Sequence, residues 1–199
     1  IADVLKSGRY ILGPQVTEFE GKLAAFGEAK HAVGCANGTD AILLPLLAWG
    51  VGPGDAVFCP SFTYCATAEV IALAGATPVF IDIDRDTYNM DVSSLKQAIA
   101  DVKAKGELTP KAVIAVDLFG QSADYEALAP VVREEGMKFI SDSAQGFGTT
   151  LNGKHPLAWT DCQTTSFFPA KPLGCYGDGG ATLTNDDELE HAMRSLRVH

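Results

Sequence analysis

The 199-residue sequence has no dinucleotide fingerprint: Gly177, Gly179 and Gly180 are wrongly spaced for GxGxxG, and Thr182 stands where the last glycine would be. It also has no GxxxxGK[ST] phosphate loop, no GxSxG nucleophile elbow and no HExxH metal pair. These absences remove the usual signatures of doubly wound oxidoreductases, P-loop nucleotidases, serine hydrolases and zinc peptidases. Cations are scarce, with 15 Lys+Arg against 25 Asp+Glu and a formal net charge of −10. Sequence-independent binding to nucleic acid relies on Lys and Arg against phosphates, so this balance argues against it. A small anionic ligand is still admissible, because backbone N–H groups and a few local cations are enough to hold one. No stretch has the length and apolarity of a membrane span, and no signal-peptide pattern opens the chain. The five cysteines (35, 59, 65, 162 and 175) include no CxxC pair and are odd in number; we read them as reduced thiols of a cytoplasmic protein. The four histidines (31, 155, 191 and 199) form no ligand spacing with them, and no metal site is expected.

What is present is apolar residue, 47% of the chain, enough for one sizeable core. The chain opens at Ile1, and its last residues, RSLRVH, read as a helix in mid-course, so the expectation is a piece of a longer protein. Short apolar runs alternate with helical patterns. TEFE reads as a capping box that starts a helix at Thr17 with Glu20 at N3, and Val16, Phe19, Leu23 and Phe26 share one face. Strands are expected at 31–37, 56–60, 77–83, 111–120, 137–145, 162–168 and 179–185. Helices are expected from GTDAILLPLLAW, over 66–74, 92–105 and 124–136, and after NDDE, with Leu189, Met193 and Leu196 on one side of the last. The Asn-Gly of TTLNGKH predicts a hairpin turn. Strand–helix alternation to about residue 145, followed by several strands together, predicts one α/β domain with a mostly parallel, mixed sheet. In such sheets the ligand crevice lies beyond the carboxyl ends of the strands.

Several candidate residues fall at those ends. Gly38-Thr39-Asp40 follows HAVGCAN at a helix start, where unpaired N–H groups favour an anion; Thr39 or Asp40 as a simple N-cap explains the motif equally. Asp142 ends a buried strand, either as a cap or facing a cationic partner. Tyr64, at a helix entry, either stacks on a flat ligand or belongs to the core. Ser166 at a strand end says little alone. Lys171 is the one cation of SFFPAKPLGCYGDGG. Within a crowded apolar loop its amine is expected to have a depressed pKa and act as a nucleophile toward a carbonyl; on an exposed loop it is a snorkelling surface lysine.

Together ANGTDA, PSFTYCATAEV, SDSAQGFG and SFFPAKPLGCYGDGG, in that order, resemble the pyridoxal 5'-phosphate (PLP) sugar aminotransferases of the DegT/DnrJ/EryC1/StrS family. The resemblance runs from LGPQVTEFE to the last helix. It implies a three-layer α/β/α fold, the large domain of the aspartate aminotransferase type (fold type I), with residues 1–199 as the PLP-binding domain and a smaller C-terminal domain outside this chain. It implies that Lys171 bonds covalently to PLP and then acts as acid and base, and that Asp142 pairs with the pyridinium nitrogen. By the same resemblance Gln145 lies near the ring oxygen and Tyr64 stacks on the ring. Gly38, Thr39, Asp40 and Ser166 form the phosphate cradle.

The family also contains dehydratases, which have histidine in place of that lysine, so Lys171 favours transamination. FFPAKPLGCYGDGG most resembles enzymes that aminate a UDP-linked 3-keto-hexuronic acid, UDP-2-acetamido-3-oxo-glucuronate, with glutamate, for bacterial O-antigen and related surface polysaccharides. The resemblance further implies a homodimer with a shared active site. The rivals are a PLP-dependent sugar dehydratase, a non-catalytic PLP-fold binding or regulatory module, and a nucleotide-binding oxidoreductase.

Overall fold

In the computed structural model, which describes residues 1–198, two helices come first, α1 (Ala2–Ser7) and α2 (Pro14–Phe26). His199, one of the four histidines without ligand spacing, lies outside the described residues. There follow β1 (His31–Cys35), α3 (Gly38–Ala48), β2 (Asp55–Pro60), α4 (Ala66–Leu73), β3 (Thr77–Ile81) and α5 (Val92–Lys105). The rest is β4 (Thr109–Val116), α6 (Tyr125–Glu134), β5 (Lys138–Asp142), β6 (Cys162–Ser166), β7 (Gly180–Thr184) and α7 (Asp187–Arg197). Local chemistry sets most of these boundaries. Asp91 accepts from Ser94 N–H to start α5, and Gly106, with φ 67°, ends it in the left-handed conformation. Asp124 and Asp186 cap α6 and α7 in the same way. Asn152 and Gly153 both have positive φ and join Leu151 to Lys154 in the expected tight turn.

The seven strands form one sheet in the order β1-β7-β6-β5-β4-β2-β3. Only β7 runs against its neighbours, pairing antiparallel with β1 and β6; the β2–β3, β2–β4, β4–β5 and β5–β6 pairs are parallel. The carboxyl ends of β1, β2, β4, β5 and β6 therefore meet along one edge.

Alternation along the strands divides the core between the two faces. Val57, Ile114 and Ile140 pack with Leu46 of α3, Ile71 of α4 and Met193 of α7. Their strand neighbours Phe58, Val113 and Phe139 pack with Leu95 of α5 and Leu128 of α6 on the other face. Each such fully buried side chain contributes roughly 1.5–3 kcal/mol relative to exposure. The result is the expected three layers, with a smaller cluster of Leu23, Ala32, Phe167 and Leu183 seating α2.

The start of α2 differs from expectation. Pro14 occupies its first turn behind Gly13 as N-cap, so Thr17 lies inside the helix and caps nothing. Of the expected apolar face only Leu23 is buried; Phe19 and Phe26 are partly exposed and touch Phe167 and Phe147 edge-on or tilted. Glu20 has another task. Buried, it accepts from Gly34 N–H at 2.8 Å, pairs with Arg194 at 3.0 Å and pairs with Arg197. Both arginines also donate to β1 carbonyls, of Ala32 and Gly34. The trio locks α2 and α7 across the β1 edge. Glu20→Ala leaves the mostly buried Arg197 without its counter-ion, and we expect it to lower the unfolding free energy by about 3–5 kcal/mol in urea titrations. A loss below about 1 kcal/mol would place the trio with weak surface pairs.

Candidate active site

At the shared strand edge one cavity of about 900 Å³ opens. It gathers Gly38, Thr39, Tyr64, Asp142, Gln145, Ser166 and Lys171, which are spread over more than half of the chain.

The β1–α3 junction forms one end of it. Asn37, not Thr39 or Asp40, is the N-cap: its Oδ1 accepts from Asp40 N–H at 2.7 Å. Asp40 does not reach the cavity wall, and its amide is already taken. Gly38 faces Ser166 so closely that a Cβ there would stand 2.6 Å from the serine Cβ. Only glycine lets the end of β6 press against the first turn of α3, bringing the Ser166 hydroxyl beside a helix N-terminus. That corner has the donors and the dipole end that suit a phosphate.

The floor is Asp142, at the end of β5. It is buried, and its Oδ1 accepts from Ala144 N–H at 3.0 Å. Burial pushes its carboxyl up to about 6; the Ala144 hydrogen bond and the Lys171 charge pull down, and the Asp117 charge pushes up. Such a carboxylate has a demand for a cationic or proton-bearing partner in front of it. Three residues on, Gln145 Oε1 accepts from Phe119 N–H at 2.7 Å, which holds the carbonyl end of that amide. Phe119 itself adopts a left-handed backbone, φ 58°.

Tyr64 and Lys171 stand on the open side. The lysine Nζ lies 5.9 Å from the centroid of the Tyr64 ring, which is 65% exposed. The loop expected to desolvate Lys171 is exposed from Phe168 to Asp178, and Lys171 alone within it is half-buried. Phenylalanines and prolines adjacent in sequence do not enclose it, because only Phe167 turns into the core. The backbone is nonetheless held: Lys171 N–H donates to Phe168 O, and Cys175 N–H to Phe167 O, each at 2.8 Å. Asn37, Phe119, Ala144 and Asp178 also line the cavity and were not singled out from sequence. The Asn-Gly step after β1 was a readable signal for the first of them.

A helix-borne anion corner, an amine, an aromatic face and a buried carboxylate around one cavity fit the four parts of PLP: phosphate, aldehyde, ring and ring nitrogen. The fold and this wall define an aminotransferase-type α/β protein. The chain belongs to the DegT/DnrJ/EryC1/StrS aminotransferase family, whose profile matches residues 1–199. It is 51% identical over 201 residues to a UDP-2-acetamido-2-deoxy-3-oxo-D-glucuronate aminotransferase of Pseudomonas aeruginosa, covering 100% of this chain and 54% of that protein. It is 47% identical to a pleiotropic regulatory protein of Geobacillus stearothermophilus, covering 99% of this chain and 51% of that protein. Among solved structures, a DegT DnrJ EryC1 StrS aminotransferase from Brucella abortus superposes with a TM-score of 0.95 at 52% identity, over 98% of this chain and 52% of that one. The PLP form of the putative sugar aminotransferase Spr1654 from Streptococcus pneumoniae gives 0.88 at 31% identity, over 98% of this chain and 53% of that one. The chain thus spans about half the length of the curated relatives it matches. Among the described residues no helix is long and apolar enough to cross a membrane, and no cluster of metal-ligating side chains occurs.

Proposed function

We propose that the protein is a PLP-dependent aminotransferase that moves an amino group from glutamate to a nucleotide-linked keto sugar, a UDP-3-keto-hexuronic acid. The observation that supports this most is the convergence of Lys171 and the buried Asp142 in one cavity, where the Lys171 charge pulls the Asp142 carboxyl down. The substrate rests on similarity to the Pseudomonas enzyme. Residues 1–199 act as its large cofactor-binding domain.

When bound, PLP supplies an aldehyde that takes up amines and a ring that draws electron density from the substrate Cα. This chain's residues do the rest. Gly38 and Thr39 N–H groups and the Ser166 hydroxyl would hold the phosphate. Asp142 would hold a proton-bearing ring nitrogen, and the Tyr64 ring would offer a face for stacking. Gln145, its carbonyl anchored on Phe119 N–H, would leave its NH₂ donors for the ring oxygen. Lys171 Nζ, on the cavity wall, would be the group that takes a proton from the substrate Cα and gives it back.

A cytoplasmic homodimer with a shared active site accompanies this reading. The homodimer is supported by a set of exposed apolar side chains, Ile1, Leu5 and Ile11 at the start of the chain and the neighbouring rings of Phe62, Tyr88 and Phe119, the last of which lines the cavity. The test is product analysis with the complete protein, glutamate and UDP-2-acetamido-3-oxo-glucuronate. We expect 2-oxoglutarate and the 3-amino sugar in equal amounts. Loss of water from the sugar without 2-oxoglutarate would make the protein a dehydratase, and PLP binding without turnover of any keto sugar would make it a regulatory module.

A further inference from the structure

Behind the cavity lies a second carboxylate, Asp117, just past the end of β4. It is fully buried, and among the described residues it has no cationic partner. Its Oδ1 accepts from Ala123 N–H at 3.0 Å and from the Tyr125 hydroxyl at 2.7 Å. Its Oδ2 accepts from the Ser143 hydroxyl at 2.6 Å. Ser143 Oγ in turn accepts from the Gln163 amide at 2.9 Å, and Ser141 Oγ lies 2.7 Å from Tyr125 and 3.0 Å from Ser143. Burial pushes the Asp117 carboxyl up, and the Ser143 and Tyr125 hydroxyls and the Ala123 N–H, all within hydrogen-bond reach, pull it back toward the ionised form.

Asp117 also grips the segment that bears Asp142. Its N–H donates to the Asp142 carbonyl at 2.9 Å. Ser143, bonded to its side chain, is the next residue after Asp142. Gly146 packs on it so tightly that a Cβ would stand 2.5 Å from the Asp117 Cβ. We propose that Asp117 is a positioning residue for Asp142: its N–H on the Asp142 carbonyl and its carboxylate on Ser143 hold the end of β5, and Asp142 with it, in place. As a like charge it also makes Asp142 a stronger proton acceptor, which would keep a proton on a ring nitrogen placed before it. That last consequence rests on the PLP reading; the coupling of the two carboxylates does not.

The groups that face Asp142 are few. Asp117 comes from the end of β4, Tyr125 from α6, Lys171 from the loop after β6 and Ala144 N–H from its own turn. Tyr64 and Asp178 lie further round the same wall. Burial pushes the Tyr125 phenol up, so it stays neutral and contributes no charge of its own. Among the described residues, Asp117 is then the one anion that raises the Asp142 carboxyl, and Lys171 the one cation that lowers it.

The test uses the complete protein with ¹³C-labelled aspartate carboxyls, free of cofactor. In the wild type Asp142 is expected to titrate near about 6. In Asp117→Asn its midpoint is expected to fall by about one pH unit, as removal of a close like charge requires. Tyr125→Phe, which removes a donor but keeps the charge, is expected not to lower it. An unchanged Asp142 midpoint in Asp117→Asn overturns the proposal, as does an equal fall in Tyr125→Phe. Should Asp117→Asn fail to fold, the wild type still decides: Asp117 must remain ionised through the Asp142 titration, and protonation of Asp117 at or above that midpoint overturns the proposal. A parallel titration with ¹⁵N-labelled PLP reads the ring nitrogen, which is expected to lose its proton at lower pH in Asp117→Asn. Failure to bind PLP would count against the proposed function, while the cofactor-free titration would still judge Asp117.

Discussion

Lys171→Ala is expected to abolish covalent attachment of PLP and to lower transamination by at least about 10³-fold, the scale of a lost acid–base group in the proton-transfer step. The wild type mixed with PLP should show a visible absorption band that borohydride removes by fixing one cofactor on a peptide containing Lys171. The variant should show neither the band nor the labelled peptide, yet still bind PLP reversibly through the corner of Gly38 and Ser166. The reason is positional. The Lys171 amide is tied to the Phe168 carbonyl, and its Nζ stands over the Tyr64 ring at 5.9 Å, so an exposed loop nevertheless presents the amine at a defined place. Cation–π attraction of this kind contributes roughly 0.5–1 kcal/mol at an open site, enough to bias the side chain without locking it. Absence of the band in the complete wild-type protein would remove both the role of Lys171 and the enzyme assignment built on it.

Asp142→Asn is expected to act in opposite directions on stability and activity. Burial raises the folded-state carboxyl to about 6, against about 3.9 in an unfolded chain. Below the unfolded value both states are neutral and the residue has no electrostatic effect on folding. As pH rises from about 4 to about 6 the unfolded chain ionises first, so stability is lost through that window. Above the folded value the loss is complete, on the order of 3 kcal/mol. Asparagine retains an acceptor for Ala144 N–H without the charge. The cofactor-free variant should therefore be more stable than wild type at pH 8 by up to about 3 kcal/mol and equal to it near pH 4, by denaturant titration. Transamination should fall by about 10²- to 10³-fold, the scale of one lost electrostatic contact in a dry site. Added PLP should then stabilise the wild type more than the variant, because only the wild type gains a counter-ion. Equal stability of the two proteins at both pH values would contradict this account of Asp142.

These effects describe a site that trades stability for chemistry. The fold tolerates two neighbouring buried carboxylates, Asp117 with three donors and Asp142 with one, the second on the cavity wall. A buried ionisable group with a shifted pKa in a cleft is what functional sites present.

Much of the architecture was legible in the sequence. Strand and helix positions followed from apolar period, and α5 was bounded by Asp91 and Gly106, whose side-chain and backbone chemistry act within a few residues. The Asn152-Gly153 turn was equally local. The start of α2 shows where local patterns mislead. Thr-x-x-Glu satisfies the capping pattern, but Pro14 begins the helix a turn earlier, and Glu20 is claimed by arginines 174 and 177 positions away. No pattern within a window could contain that partner. Asn37, as the cap that takes the Asp40 amide, was within reach of local reading; Phe119 at φ 58° was not, because its backbone is set by packing between β4 and Gln145.

The sequence by itself determined which chemical groups this protein has and on which elements they sit: one lysine in a glycine-bounded loop, an aspartate at the end of an apolar strand, a glycine at a helix start. Those are properties of neighbours along the chain. Only the tertiary structure decided which groups meet, how far Lys171 is exposed, and that Asp142 lies buried beside a second carboxylate. The parallel sheet brings the carboxyl ends of separate strands to one edge, and desolvation and Coulomb interaction depend on distance in space rather than on order in sequence.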